Sequence, residues 1–365
     1  MSSCTAAVLT SYGQALELRK FPIPEPGQGE ALVRVEMAGI CGTDVHLFDG
    51  ELNIPLPVIL GHETVGRIEK LGPELEKDWR GVSLGTGDRV AWASSVVCGE
   101  CYYCRQKRQP TRCISRKAYG ISYSADEQPH LRGGYAEYIL LRAGTAIFRI
   151  PDAIPTTAVV GAGCALTTVL HGLERATVAL GDVVVIQGSG PVGLAALAVS
   201  LQSGASKVIV IGAPKRRLDF AVEFGAHGVI SVEEATTPEA RRKLLFEQIG
   251  PYGADVVVEC VGRPSAVPEG WELVRDGGKY LVLGQYANAG EVMMNPHTIT
   301  RKQLQVIGSW GFEPRHVDAA LRLLENEHWQ TRFASEVTDR YSLENANEAL
   351  QKARLQSGGK TVITP

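Results

Sequence analysis

One stretch, "GDVVVIQGSGPVGLAALAVSLQSGA" at residues 181–205, restricts the possible folds more than any other part of this chain. A run of β-branched residues ends in Gly188, Gly190 and Gly193, and a helix of small apolar residues follows at once. Glycine-rich turns are common, but this one sits between a strand and a helix, which makes the G-x-G-x-x-G match specific. The first glycine permits a tight turn, the second lets the backbone approach a pyrophosphate, and the third lets the helix pack close to the strand. The helix start, with Pro191 and Val192, offers unpaired N–H groups and a positive dipole end to phosphates. Gly188, Gly190, Pro191, Val192 and Gly193 are therefore candidate dinucleotide contacts.

The same alternation continues downstream. "KVIVIG" reads as a strand, "PKRRLDFAVEFGA" as a helix, and "ADVVVEC", "KYLVLG" and "LQVIGSW" as later strands. Alternating elements of this kind imply a doubly wound parallel sheet. Before about residue 160 the chain instead shows short β-rich runs, "EALVRVEMAGI", "VGRIEKLG", "DRVAWASSVV" and "YAEYILL", separated by "PEPGQG" and "GTGD" turns. That half reads as a barrel-like antiparallel domain. The last part holds two amphipathic helical stretches and closes on the strand-like "GKTVITP". A chain of 365 residues has room for two cores, and the expected class is α/β: a β-rich barrel-like catalytic domain plus a doubly wound parallel Rossmann domain.

At the end of "KVIVIG", where NAD usually meets a carboxylate on its ribose, the chain has Gly212, followed by Lys215, Arg216 and Arg217. Without a carboxylate, nothing there repels a 2′-phosphate, and the cations attract one. This favours NADP over NAD. The alternative is that the cations solvate a helix start or lie against the adenosine of NAD.

Cysteine supplies the second signal. Cys98, Cys101, Cys104 and Cys113 fall within "CGECYYCRQKRQPTRC" and provide enough thiolates to close a tetrahedral zinc shell. A closed shell admits no substrate, so this zinc is structural. The N-terminus lacks a basic region followed by a long apolar one, and no apolar run approaches the roughly 20 residues that span a bilayer. A reducing cytoplasm is expected, where close cysteines hold metal more often than they form disulfides. The net charge of −3 and pI near 6.3 give no case for nucleic acid or membrane partners, and the basic run in the cysteine stretch reads as a solvated face. Cys41, His62 and Cys164 would form a second, open zinc site, although spacing alone does not bring them together.

The pieces "GICGTDVH", "LGHETVG", the four-cysteine stretch, "GAGCALTT", "VVVIQGSGPVG" and "GGKTVI" together resemble the zinc-containing medium-chain dehydrogenase/reductase family, the zinc alcohol and polyol dehydrogenases. The resemblance runs in order over nearly the whole chain. It implies a catalytic zinc domain from residues 1–162 and 308–365, with a structural lobe at 98–113 and a Rossmann domain inserted at 163–307. It implies two zinc ions per chain, one catalytic on Cys41, His62 and Cys164 and one structural. Glu63 matches a carboxylate that can approach the metal, and Asp44 a partner that orients His62. Thr43 matches the hydroxyl that meets the substrate oxygen, and His46 the outer end of the proton relay. Thr168 sits where the family contacts the nicotinamide, and Lys360 where a basic residue reaches the pyrophosphate; Val261 and Leu283 complete the cofactor set. The lobe departs from the family in its x8 spacing between Cys104 and Cys113, one residue longer than usual, and in lacking the usual glycine of "C-R-x-G".

The implied reaction is hydride transfer between an alcohol and NAD(P). Phe48, Leu52, Trp92, Ser94 and Tyr135 are candidate pocket walls, mostly apolar, which favours a secondary or cyclic alcohol and its ketone. "CGTDVH" is closer to the polyol branch, leaving a polyol or sugar dehydrogenase as the alternative, and a non-catalytic zinc scaffold as a more distant one. The apolar "LQVIGSW" points to a homodimer or homotetramer through a sheet edge.

Overall fold

The computed structural model describes residues 2–355 and 358–365. The chain divides into two units, Met1–Cys164 with Glu313–Pro365, and Ala165–Phe312.

In the second unit, the apolar runs become parallel strands. Their spatial order is Gly228–Ser231, Lys207–Gly212, Val183–Gln187, Ala254–Glu259, Val274–Val282 and Gln305–Gly308. In chain order this is 3-2-1-4-5-6, the doubly wound dinucleotide-binding arrangement. Because helices cover both faces, the strands are apolar throughout rather than alternating. Val185, Ile209, Ile211, Val257 and Tyr280 share one core with Trp271 and Leu273 from a covering helix. The order in which strands are added reverses between the parallel neighbours Val183–Gln187 and Ala254–Glu259, and the glycine motif lies at the end of the first of these.

The first unit is β-rich. Among the described residues, a mixed sheet runs Ile147–Arg149, Arg89–Trp92, Glu63–Leu71, Ala31–Gly39, Lys360–Thr364 and Val337–Ser342, with Tyr138–Leu141 also paired to Ala31–Gly39. The C-terminal strand thus returns to an N-terminal one, pairing Val362 with Gly39 and Ile363 with Ala38. "DRVAWASSVV" splits where one strand was expected. Arg89–Trp92 stays in the main sheet, while Ser95–Val96 leaves it to pair with Lys117–Ala118. That second pairing closes the base of the four-cysteine lobe.

Thr156–Ala176 is a 21-residue helix, long and apolar enough to cross a membrane by length and composition, so the expectation that no run approaches that length is corrected. It is interrupted at Gly163, with φ 46° and ψ −149°, and 61% of its most apolar window is buried inside the protein. A core helix satisfies both observations.

The turn at residues 188–193 yields a sharp test. A Cβ on Gly193 would stand 1.9 Å from the Gly188 carbonyl oxygen. Alanine ordinarily stabilises a helix by about 1 kcal/mol over glycine. Gly193→Ala is expected to reverse that sign and destabilise the protein by about 1–3 kcal/mol of overpacking in chemical denaturation; a stabilised variant contradicts the close packing.

Candidate active site

Three segments far apart in sequence bring metal-binding donors together in the first unit. Cys41 follows strand Ala31–Gly39 and caps helix Gly42–Phe48. His62 and Glu63 stand at the start of strand Glu63–Leu71, and Cys164 lies just after the break at Gly163. The donor atoms of Cys41, His62, Glu63 and Cys164 all lie within 4.8 Å of one another. The two sulfurs are 3.5 Å apart, far longer than a disulfide bond of about 2.05 Å. Two thiolates each about 2.3 Å from one tetrahedral ion would stand about 3.8 Å apart, so the pair fits a shared zinc.

Two buried carboxylates hold these segments. Asp44 is fully buried; its Oδ2 accepts the Cys41 N–H at 2.9 Å, and its Oδ1 accepts the Gly61 N–H at 3.3 Å. The same Oδ1 lies 3.3 Å from His62 Nδ1, which leaves the other ring nitrogen for the metal. Glu63 Oε1 accepts the Cys164 N–H at 2.8 Å, and its Oε2 is 2.7 Å from Lys360 Nζ. Gly163 makes this contact possible, since a Cβ there would be 2.4 Å from both Glu63 Oε1 and Lys360 Nζ. Lys360 is only 4% exposed, so its charge is directed at Glu63. The lysine expected at the cofactor's pyrophosphate thus has a carboxylate partner within the protein.

The electrostatics suit a cation. The hydrogen bond from Cys164 brings the Cys41 thiol down to about 5, against burial and the nearby Glu63. The Cys164 thiol, bonded to Cys41 and buried, is pushed well up. Burial depresses His62, but the Asp44 carboxylate outweighs it and raises the imidazole well above its usual value. One thiol and the imidazole thus keep protons that a bound metal displaces, and the donor set fits zinc.

The second cluster is the Cys98, Cys101, Cys104 and Cys113 lobe, whose sulfurs also lie within 4.8 Å of one another. Backbone N–H groups point at sulfur, Cys98 N toward Cys113 Sγ at 3.3 Å and Cys101 N toward Cys98 Sγ at 3.4 Å. The N–H groups of Cys104 and Ile114 lower the Cys101 thiol to about 6. All eight cysteines are free, so the lobe is no disulfide knot. The turn Pro110–Arg112 takes up part of the long spacing, and Arg108 adopts φ 53°, the left-handed region that glycine would favour.

In the second unit, Gly190 caps helix Pro191–Gln202, with Pro191 and Val192 opening it. Gly212 faces Ser189, and a Cβ there would be 2.4 Å from Ser189 Oγ. Of the expected cations, Lys215 is paired with Asp219 at 2.7 Å, and Arg216 lies exposed at the start of its helix. Arg217 Nη1 comes 3.7 Å from where a Gly190 Cβ would be, which brings one guanidinium to the glycine motif. Val261 and Leu283 both lean on Glu259, whose Oε1 accepts the Val261 N–H and whose carbonyl accepts the Leu283 N–H. Thr168 is half-buried on the long helix.

Thr43 and His46 stand one turn apart on helix Gly42–Phe48, both half-buried. The candidate pocket walls fare differently. Phe48, 4% exposed, and Tyr135, fully buried, belong to a hydrophobic core, and Trp92 to a separate one, so these three are core residues rather than open walls. The Tyr135 ring packs under Gly61, beneath the segment that carries His62. Leu52 is half-buried against the same core, and Ser94 is buried, its carbonyl accepting the Tyr119 N–H. Sequence reading missed Glu51, whose Oε2 meets His46 Nδ1 at 2.7 Å; its signal was the helix-ending glycine just before it.

Comparison with known proteins agrees with this geometry. Residues 27–152 match the alcohol dehydrogenase GroES-like domain, and residues 191–326 the zinc-binding dehydrogenase domain. The chain is 38% identical over 365 residues to 5-exo-hydroxycamphor dehydrogenase of Pseudomonas putida, covering 100% of this chain and 99% of that protein. An alcohol dehydrogenase from Thermotoga maritima superposes with a TM-score of 0.95 at 33% identity, covering 100% of both chains. A zinc-binding dehydrogenase from Sinorhizobium meliloti, solved with NADP bound, gives a TM-score of 0.86 at 28% identity, again over 100% of both.

The break at Gly163 can be tested by filling it. Gly163→Ala is expected to carry less zinc per chain by elemental analysis, because its side chain would intrude between Glu63 and Lys360. Backbone strain alone should cost about 1–3 kcal/mol. Full zinc content at unchanged stability would show that the cluster does not depend on this close approach.

Proposed function

We infer that this chain, which belongs to the zinc-containing medium-chain dehydrogenase/reductase family, interconverts secondary or cyclic apolar alcohols and their ketones with NADP as its preferred cofactor. In coarser form the activity follows from the family: the chain is a zinc-dependent oxidoreductase that transfers hydride between an alcohol and a nicotinamide dinucleotide. The observation that carries the reading is the cluster of Cys41, His62 and Cys164 beside a Glu63 already engaged on both oxygens. Three donors leave a fourth tetrahedral position for the alcohol oxygen. The four thiols of the lobe leave none, so one catalytic and one structural zinc per chain is the proposed complement.

Zinc, when bound, supplies the Lewis acid that favours loss of the alcohol proton, and the nicotinamide supplies the hydride acceptor. The remaining work falls to side chains. Asp44 holds His62 in the tautomer that binds metal, and Thr43 orients the alcohol oxygen and passes its proton on, releasing its own hydroxyl proton as it accepts. His46, one turn along the same helix, receives that proton and lies 39% exposed toward water. In the second unit, the glycine turn and helix start bind the pyrophosphate.

Support for NADP comes from Arg217 beside Gly190 and from Gly212, where Ser189 leaves no room for an acidic side chain. The NADP-bound relative points the same way. Support for a cyclic alcohol comes from the hydroxycamphor dehydrogenase relative, whose name specifies a bicyclic secondary alcohol. We further propose assembly into a homodimer or homotetramer through edge strand Gln305–Gly308, where Val306 is 43% exposed. The cytoplasm is the proposed location, in keeping with eight free cysteines.

A panel of cyclic alcohols, linear secondary alcohols and polyols, run with both cofactors, tests the substrate assignment. Cyclic alcohols should give the highest kcat/KM; a polyol preference would move the protein to the sugar branch. Cys41→Ser should abolish turnover and lower the zinc content from two to one per chain, whereas two zinc ions with full activity refute the ligand assignment. For the cofactor, Arg217→Ala should raise KM for NADP about tenfold, the effect of losing one charge-assisted phosphate contact, and leave KM for NAD little changed.

A further inference from the structure

Helix Gly42–Phe48 ends in a way that builds a pair of titratable side chains at its surface. Asp49 caps the helix, and Gly50 follows with φ 78°. The Gly50 N–H donates to the Leu47 carbonyl at 3.2 Å, and the Glu51 N–H to the His46 carbonyl at 3.0 Å. These two crossed bonds make a Schellman ending, which sets the residue after the glycine beside the one three places before the cap. That contact is ordinarily apolar. Here it joins Glu51 to His46, and Glu51 Oε2 lies 2.7 Å from His46 Nδ1. The turn is held in place from outside: a Cβ on Gly50 would meet the Tyr12 ring at 2.9 Å, and the Tyr12 hydroxyl accepts the Ile54 N–H at 2.9 Å.

Stability does not account for the pair. The side chains are 39% and 46% exposed, and exposed ion pairs contribute about 0–1 kcal/mol at most. Its chemical consequence is more specific. An ionised carboxylate only accepts, so the proton in this contact sits on Nδ1, and in the neutral ring Nε2 carries the lone pair. Asp49, the other carboxylate at this helix end, is engaged by Arg354 of helix Ala346–Arg354 at 3.0 Å. Glu51 is therefore the carboxylate directed at the imidazole.

We propose that Glu51 is a positioning residue for proton transfer at His46, holding the ring as the Nδ1–H tautomer so that Nε2 accepts the proton released by the alcohol. This rests on the reading of the chain as an alcohol dehydrogenase with His46 in the proton path. In the step itself, a proton binds the Nε2 lone pair, the Nδ1 proton passes to Glu51 Oε2, and the carboxylic acid then gives it to water. The ring resets by exchange with solvent. No electrons move here, because the electron pair of the broken C–H bond leaves with the hydride.

The test uses the zinc-loaded enzyme with Glu51→Gln, Glu51→Ala and Glu51→Asp. Proton release, followed with a pH indicator in a single turnover, should slow about tenfold in the Gln and Ala variants, with KM values within about twofold. Glu51→Asp should keep most of the rate, and added imidazole should restore Glu51→Ala in proportion to its concentration. Independently, ¹⁵N-histidine NMR of the unaltered protein, with His46 assigned from His46→Gln, should show the Nδ1–H tautomer, lost in Glu51→Gln. Unchanged proton release in Glu51→Ala, slowed release that no small base restores, or an Nε2–H tautomer in the unaltered protein would each overturn the proposal. If the unaltered protein oxidised no alcohol, the functional reading would fail, and the tautomer would still decide whether Glu51 sets the state of His46.

Discussion

The first unit depends on how its buried charges are neutralised. Asp44, Glu63 and Lys360 are each 5% exposed or less, and an isolated charge at such a depth costs several kcal/mol. Asp44 meets that cost with the N–H groups of Cys41 and Gly61 and with the His62 ring. Glu63 meets it with the Cys164 N–H and the Lys360 ammonium. The partners come from four segments spread along the chain, so satisfying two carboxylates also assembles the donor cluster. Even the sheet is adapted to it: pairing of Val362 with Gly39 brings Lys360 alongside, and a Cβ on Gly39 would sit 2.7 Å from Glu63 Oε2. Carboxylates and thiols still outnumber the one lysine, and a divalent cation completes the balance.

What the sequence revealed follows from which interactions are local. Strands of the second unit are apolar runs bounded by glycines, and each is stabilised mainly by burial on both faces, so residues 183–187, 207–212 and 254–259 were legible directly. The cysteine lobe was legible for the same reason, since its ligands lie within sixteen residues. Cys41, His62 and Cys164 are candidate donors by residue type, but only the resemblance brings them together, because nothing local shows that Cys41 and Cys164, over 120 positions apart, meet. The charge of Lys360 is visible in sequence, whereas its buried partner Glu63 is not. Phe48, Trp92 and Tyr135 were assigned to a pocket for a similar reason: an aromatic near a site in sequence looks the same whether it lines a cavity or fills the core beneath it.

Glu51 illustrates the opposite case, in which a local rule was available and unused. Gly50 after an amphipathic turn is a helix-ending signal, and that ending dictates which side chains touch. The motif itself pairs the residue after the glycine, Glu51, with the one three places before the cap, His46. Helix endings are usually treated as punctuation, yet here the ending decides which ring nitrogen faces the chemistry.

The residue at 212, on which the proposed cofactor choice rests, is set by packing as much as by charge. The absence of an acidic residue at 212 looks in sequence like a missing hydrogen-bond partner for ribose. In the structure it is also the consequence of Ser189, whose side chain occupies the space that a side chain at 212 would need and whose Oγ donates to the Ala213 carbonyl at 3.1 Å. Residues 189 and 212 are therefore coupled, and neither can be read alone. A serine inside the glycine turn fixes a glycine at the end of the next strand, and that glycine leaves the ground beside Gly190 to the Arg217 guanidinium. On the proposed NADP reading, the electrostatic preference is set one step upstream, by a small side chain that carries no charge.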